Sequence, residues 1–579
     1  MKNIFFLFFL VSLSISAQSF KIKQNKMKNS SKYTTDTSWK KLSLREKIGQ
    51  TMMVTSDYNL HLKIGNGDLQ SFLNKYPVGG LFVAQWRFNR KNFGDAKIED
   101  FIPKIMQVYE NASSLPLFFS EDFERGVGYN YSNATKLPVE MTLGAANDDS
   151  LAYAYGTIAA QESRAMGFNW LLNPVADLNM NPLHPLVIER AISDNAELAI
   201  PLLQNQIRGI HDQNVISTIK HFPGDGATIC DQHVMTSSNN LSIKEWKKTY
   251  GTVFQTLIND NAPSIMVGHI RFPAFQKETI DGVLPPATLS REIIQKLLKK
   301  QMKFKGVVIS DAMNMGGATG FYDTELEASI QCFVAGADII LWPNIEYLDT
   351  VEARIIRGEI PMSRLDDAVQ RIWTLRKRFN LLEKKQIIAT PLQNDHSAYV
   401  LKTLTNLSQK AVTLIQDKKN ELPLKPSINK KILLANISYS DKSKLFEPMK
   451  RELEARGFDV TLTYDLHFYK WQTKLDSLNK FDKIIVCFEN KYFDPIGSPL
   501  LKDHEAFSLW TINSLQIGKI IGVSFGNPYY NTFYLNKAQI LINAYSSDEY
   551  MQIAVVKALT GEIKCTAKSP VNVYNDIMK

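Results

Sequence analysis

Over the first two thirds of the chain, apolar residues recur in short runs that end on polar residues or glycine. Eight stand out, at 52–54, 79–83, 117–120, 169–172, 216–221, 265–269, 307–310 and 338–341. Their length suits strands. Several are continuous rather than alternating, as strands buried on both faces of a parallel sheet should be. Helical spacing fills most of the gaps, at 100–112, 151–166, 196–213, 244–259, 291–300 and 324–335. Ser43 and Glu46 have the spacing of a capping box and predict a helix over 44–50, just ahead of the first run. Alternating strand and helix calls for crossover connections within one parallel sheet. Eight such units predict a (β/α)8 barrel over 39–382, whose catalytic rim is the C-terminal end of its strands.

A further helix opens at Ser363 and runs to about Phe379. The stretch 383–400, with Lys384-Lys385, Pro391 and Asn394-Asp395, has the composition of a linker. Beyond it, apolar runs return at 412–415, 431–435, 460–463, 483–487, 519–524 and 539–543, with helical segments at 443–456 and 548–559. They predict a second, smaller α/β domain over 401–579. The first residues have another character. Lys2, the apolar stretch from Ile4 to Val11 and small residues up to Ala17 read as a secretory signal over 1–17, with a polar leader over 18–38. A periplasmic or secreted protein is therefore expected. No later run reaches membrane-spanning length free of charge, so no stable membrane insertion is expected once the signal is removed.

Composition narrows the picture only a little. With 579 residues, 44% hydrophobic and 22% charged, the chain is ordinary for soluble globular domains. The formal charge of +9 is spread along the sequence rather than gathered in a basic block, so no nucleic-acid partner is expected. Cys230, Cys332, Cys487 and Cys565 are too far apart for a metal knuckle or a disulfide framework. No metal or organic cofactor is expected.

Candidate chemistry is concentrated where two of the strands end. The fifth run feeds directly into Lys220-His221-Phe222-Pro223-Gly224-Asp225-Gly226, followed after four residues by Asp231-Gln232-His233. Asp231 and His233, two apart on a turn, allow the carboxylate to hold the imidazole in one tautomer, as in an oriented acid/base histidine. The seventh run ends on Ser310-Asp311, with the pair Gly316-Gly317 beyond. On a barrel rim Asp311 would stand near the Lys220–His233 loop. A retaining glycosidase needs a nucleophilic carboxylate and an acid/base group about 5 Å apart across the sugar. Asp311 suits the first role and His233 the second. The free imidazole, with a pKa near about 6.5, suits proton transfer around neutral pH.

The string Lys-His-Phe-Pro-Gly-x-Gly, a short spacer and Asp-x-His resembles the acid/base loop of glycoside hydrolase family three, in its N-acetyl-β-glucosaminidase branch. Ser310-Asp311 with Met315 resembles the nucleophile motif of the same branch, and Asp122-Phe123-Glu124-Arg125-Gly126 its Asp-x-Glu-Gly-Gly. This chain departs from the pattern in four places. Asp225 stands where a histidine is often found, Arg125 where the first glycine is found, the arginine that usually follows the glycines is absent, and Ala191-Ile192 stand where a serine and an aromatic residue follow Arg190. The resemblance implies that Asp122, Arg190, Lys220, His221 and His269 bind sugar hydroxyls, with Asp311, His233 and Asp231 as the catalytic set. It also implies a retaining exo-β-N-acetylglucosaminidase working through an aspartyl intermediate on peptidoglycan fragments or related amino sugars. A β-glucosidase or β-xylosidase, a phosphorylase of the same family, and a non-catalytic glycan-binding protein remain the alternatives.

Overall fold

The computed structural model describes residues 36–88, 98–387, 397–438, 444–464, 478–489, 500–501, 503–515 and 517–574. The expected signal, the leader up to residue 35 and the middle of the expected linker, 388–396, lie outside the described residues.

The eight expected strands form. They are β1 (Met52–Thr55), β2 (Gly80–Phe82), β3 (Phe118–Glu121), β4 (Trp170–Leu171), β5 (Ile216–Phe222), β7 (Ser264–Val267), β9 (Val307–Ser310) and β10 (Ile340–Leu341). They pair in parallel in the order β10-β1-β2-β3-β4-β5-β7-β9. A parallel bridge between Ile309 and Ile339 joins the two ends, so the sheet closes into a barrel. Two short strands, β6 (Ser237–Ser238) and β8 (Ile270–Arg271), pair in the loops beyond β5 and β7.

The barrel is filled rather than hollow. Met53, Phe82, Phe118, Trp170, Ile216, Met266, Val307 and Ile309 pack in its interior, and each large apolar side chain buried there stabilises the fold by roughly 1.5–3 kcal/mol. Trp170 keeps its indole N–H satisfied by Thr218 Oγ1 at 2.6 Å. Arg376 is buried against the strands' N-terminal ends. It donates to Gln50 Oε1 (2.8 Å) and the Gly79 carbonyl (3.0 Å), with its guanidinium 3.9 Å from the Phe118 ring centre. The capping box is present: Glu46 N–H donates to Ser43 Oγ and Ser43 N–H to Glu46 Oε2.

Two helices differ from the pattern. The run 244–259 is broken into Ile243–Lys248 and Tyr250–Asn259. At Thr249 the hydroxyl returns to the Glu245 carbonyl (2.9 Å), while Trp246 donates its indole N–H to the Pro223 carbonyl at 2.7 Å. The break thus seats Trp246 against the loop after β5, a tertiary demand that helical periodicity does not register. The second difference is Glu292–Gln301, which is wound as a π-helix.

The second unit holds a six-stranded sheet of β11 (Thr413–Asp417), β12 (Lys431–Ser438), β13 (Asp459–Thr463), β14 (Lys483–Glu489), β15 (Ile520–Ser524) and β16 (Ile540–Asn543). Its order is β11-β16-β15-β14-β12-β13, parallel except for β11 against β16. Its apolar cluster takes in Val139, Met141 and Ala145 from the barrel unit, so the two units share a core. All four cysteines are free. Among the described residues, no helix is long and apolar enough to cross a membrane.

Candidate active site

Asp311 directly follows β9. Its N–H continues the ladder to the Val267 carbonyl (2.9 Å), and its Oδ1 accepts from Ala312 N–H (2.8 Å). This fixes the carboxylate at the C-terminal rim, with Oδ2 4.0 Å from His221 Nε2. Burial works to raise the Asp311 pKa. The charges of His221, His269 and His233 outweigh it, with help from the Ala312 N–H, and hold the group below the ordinary aspartate value. It is therefore ionised at neutral pH.

His221 owes its orientation to Asp177. The Asp177 carboxylate meets His221 Nδ1 at 2.6 Å and also accepts from its backbone N–H at 3.1 Å. His269, at the end of β7, has both ring nitrogens engaged by the protein. Nδ1 meets Thr288 Oγ1 and Nε2 meets the Ala312 carbonyl, each at 2.9 Å. It thereby holds the backbone beside the Asp311 carboxylate.

The Asp231/His233 pair forms as its spacing predicts. His233 Nδ1 lies 2.9 Å from Asp231 Oδ1, which also accepts from the His233 backbone N–H at 2.9 Å. The Asp231 side chain is 2% exposed and that of His233 25%, so the carboxylate sits inside and the imidazole at the mouth. The loop is docked onto the segment that follows Asp311. Gly316 N–H donates to the His233 carbonyl (2.9 Å), Gly317 N–H to the Gln232 carbonyl (3.2 Å), and Thr236 Oγ1 to the Gly317 carbonyl (2.9 Å). Gln232 Oε1 accepts from the backbone N–H of His269 at 2.9 Å. A Cβ on Gly316 would stand 2.4 Å from the Val234 carbonyl oxygen, and one on Gly317 2.7 Å from that of Gln232. The glycine pair is what lets the two loops approach.

Across the mouth, a buried network carries the remaining polar groups. Lys220 donates to Asp122 Oδ1 (2.6 Å) and lies 2.7 Å from Glu124 Oε1, while Arg190 makes a bidentate pair with Glu124 at 2.9 and 2.8 Å. Burial opposes the ionisation of Glu124, and Arg190 and Lys220 overcome it, holding its carboxyl well below the usual range. The Asp122 side chain is 30% exposed, so a charged oxygen acceptor fixed by Lys220 faces the opening.

All eight residues singled out from the sequence therefore stand on one rim. Four partners were not singled out: Glu124, Asp177, His184 and Gln232. Asp225, at the departure from the motif, pairs with buried His184 at 2.9 Å and accepts from Ser237 Oγ at 2.8 Å. Its N–H donates to Asp177 Oδ1 at 2.7 Å, which ties this pair to the carboxylate that orients His221. The departure at Arg125 reaches across to the second unit. It donates to Ser546 Oγ at 3.3 Å and to the Tyr129 hydroxyl, and stacks 3.8 Å from the Tyr129 ring centre.

A filled parallel barrel whose C-terminal rim gathers an ionised carboxylate, an aspartate-held histidine and a lysine–arginine–carboxylate network defines a barrel glycoside hydrolase. The model of the glycosyl hydrolase family 3 N-terminal domain matches residues 43–375, and the chain belongs to that family. A protein named beta-N-acetylglucosaminidase/beta-glucosidase from Cellulomonas fimi is 26% identical over 502 residues, 80% of this chain and 85% of that one. Beta-hexosaminidase A of Pseudoalteromonas piscicida is 26% identical over 385 residues, 64% of this chain and 61% of that one. Among solved structures, a beta-glucoside phosphorylase bound to 2FGlc matches with a TM-score of 0.80 at 26% identity, over 92% of this chain and 95% of that one.

Proposed function

We propose that the protein removes terminal β-linked N-acetylglucosamine from glycans with retention of configuration. One observation carries this reading: the aspartate-held imidazole of His233 is bound, through Gly316 and Gly317, to the loop that follows the Asp311 carboxylate. In the first step Asp311 attacks the anomeric carbon while protonated His233 donates to the leaving oxygen. In the second, His233 takes a proton from water, which displaces the aspartyl ester. Asp231 orients the ring. Asp122, with Lys220 behind it, accepts from sugar hydroxyls. The first part of the Cellulomonas relative's name supports an N-acetylated sugar in the cleaved position, and the Pseudoalteromonas relative's name a hexosamine. Peptidoglycan fragments are the substrate we favour, since the signal-like stretch 1–17 would send the chain towards the cell wall.

The test is an Asp311→Asn variant together with the anomer of the first-formed product, followed by NMR. Turnover should fall by about three orders of magnitude or more, with thermal unfolding little changed, and the product should be the β-anomer. Wild-type turnover by the variant, or an α-product, removes the mechanism. A second reading, phosphorolysis, is favoured by the identity of the acid/base group. An imidazole does not repel an incoming phosphate as a carboxylate would. Formation of a sugar 1-phosphate when phosphate is added, and of free sugar without it, separates the two acceptors.

A further inference from the structure

Behind the rim, His184 in the loop after β4 meets Asp225 in the turn after β5. Their side chains are 0% and 1% exposed, so the contact is closed to solvent. Its geometry fixes the ring proton. His184 Nδ1 accepts from the backbone N–H groups of Leu186 (3.2 Å) and Val187 (3.0 Å), so it carries no proton itself. The proton is therefore on Nε2 and is donated to Asp225 Oδ1 at 2.9 Å. The same oxygen accepts from Ser237 Oγ at 2.8 Å and from Gly226 N–H at 2.9 Å. Three donors converging on one oxygen suit a charged acceptor.

Each of these bonds ends on a segment that carries a group of the site. The N–H groups taken by His184 belong to the turn leading into Arg190, whose own N–H donates to the Val187 carbonyl at 2.9 Å. Ser237 stands four residues beyond His233, so its bond to Asp225 closes the base of the acid/base loop. Asn239 Nδ2 closes it again on the Gly224 carbonyl at 2.9 Å. The Asp225 N–H goes to Asp177, the carboxylate that orients His221. Gly226 (φ 97°) lets the two loops touch, since a Cβ there would stand 2.2 Å from the Leu178 carbonyl oxygen and 3.1 Å from Val187 Cγ1. A buried charged pair is seldom a net gain in stability over apolar packing, so its place at this junction points to another service.

We propose that His184 and Asp225 are positioning residues that hold the Arg190 segment and the His233 loop in register. This rests on the glycosidase reading above. The two ring nitrogens of His184 have separate tasks. Nδ1 shapes the turn before Arg190 and so serves sugar binding. Nε2, through Asp225, steadies the loop of the proton-transferring imidazole.

Two near-isosteric substitutions separate the nitrogens. His184→Asn keeps an acceptor where Nδ1 stands and loses the donor to Asp225, while His184→Gln keeps the donor and loses the acceptor. On an aryl β-N-acetylglucosaminide, kcat for His184→Asn should fall by about tenfold or more with KM no higher than in the wild type. For His184→Gln, KM should rise by about fivefold or more with kcat little changed. Azide identifies the step that fails. As an anion it attacks the anomeric carbon of the aspartyl ester with no proton to remove, displaces the Asp311 carboxylate and leaves a glycosyl azide. It should restore kcat in His184→Asn and leave His184→Gln unchanged. Ser237→Ala decides alone should the His184 variants not fold, because Asp225 Oδ1 keeps two of its three donors there. Its kcat should fall several-fold and recover with azide. Matching changes in the two His184 variants, wild-type values throughout, or a loss of kcat that azide does not restore would overturn the assignment. Wild-type protein without turnover on this substrate would instead remove the glycosidase reading.

Discussion

His221 stands closest in the charge balance that keeps Asp311 ionised, with its Nε2 4.0 Å from the carboxylate. Removing that positive charge while keeping a polar side chain, as in His221→Gln, should let the Asp311 pKa rise. The acid limb of the kcat/KM profile would then move to higher pH. An unmoved limb would mean that another group titrates there. Much of this scale was legible in the sequence where the chemistry is local. Asp231 and His233 are two apart, and Asp311 directly ends an apolar run. The clamps were not. Glu124 meets Arg190 across 66 residues and Asp177 meets His221 across 44, and nothing in local spacing announces such pairs. The exchange at Asp225 read only as a departure until His184, 41 residues away, supplied its partner.

The loops after β5 and β9 act as one element because Gly316 and Gly317 have no side chains to keep them apart. Gly316→Ala would push a methyl group to 2.4 Å from the Val234 carbonyl oxygen, which must shift and carry His233 with it. Activity should fall by about a hundredfold or more, as expected when an acid/base group leaves its position, while far-UV circular dichroism stays that of the wild type. Full activity in the variant would mean that the two loops need not touch. The strands that carry these loops were readable because continuous apolar runs between amphipathic helices have few other solutions. The break at Thr249 was not readable, because the Trp246–Pro223 contact that accompanies it joins residues 23 apart in the chain.

For the molecule as a whole, stability depends on carboxyls that the fold keeps from ionising. Glu121 is pushed up to about 8 by burial and then by the charge of Asp122, and Glu140 to about 8 by burial and then by the charge of Glu124. Each binds its proton more tightly when folded than when unfolded. The folded state therefore loses stability as pH rises from the unfolded value of 4.5 towards 8, by at most about 1.4 kcal/mol per pH unit for each group. Thermal midpoints measured between pH 7 and 8, above the range where the buried His61 and His211 contribute with the opposite sign, should fall with pH, and Glu140→Gln should flatten that slope whatever its offset. An unchanged slope would mean that Glu140 is already ionised in the folded protein. Arg125 acts at the same scale. It joins the loop after β3 to Ser546, and burial raises the pKa of nearby Asp548, an effect that the Arg125 charge partly offsets. Arg125→Ala should destabilise the protein by about 1–3 kcal/mol, readable as a lower unfolding midpoint in urea.

The core shared between the units has a consequence for how the chain is made. The last strand of the barrel, β10, ends at Leu341, yet Val139, Met141 and Ala145 pack against residues as late as Val571 and Val573. A ribosome adding about 5–20 residues per second needs on the order of ten seconds or more to supply that cover. During this interval the nascent barrel carries a bare oily patch beside its future mouth, an invitation to chaperones and to neighbouring nascent chains.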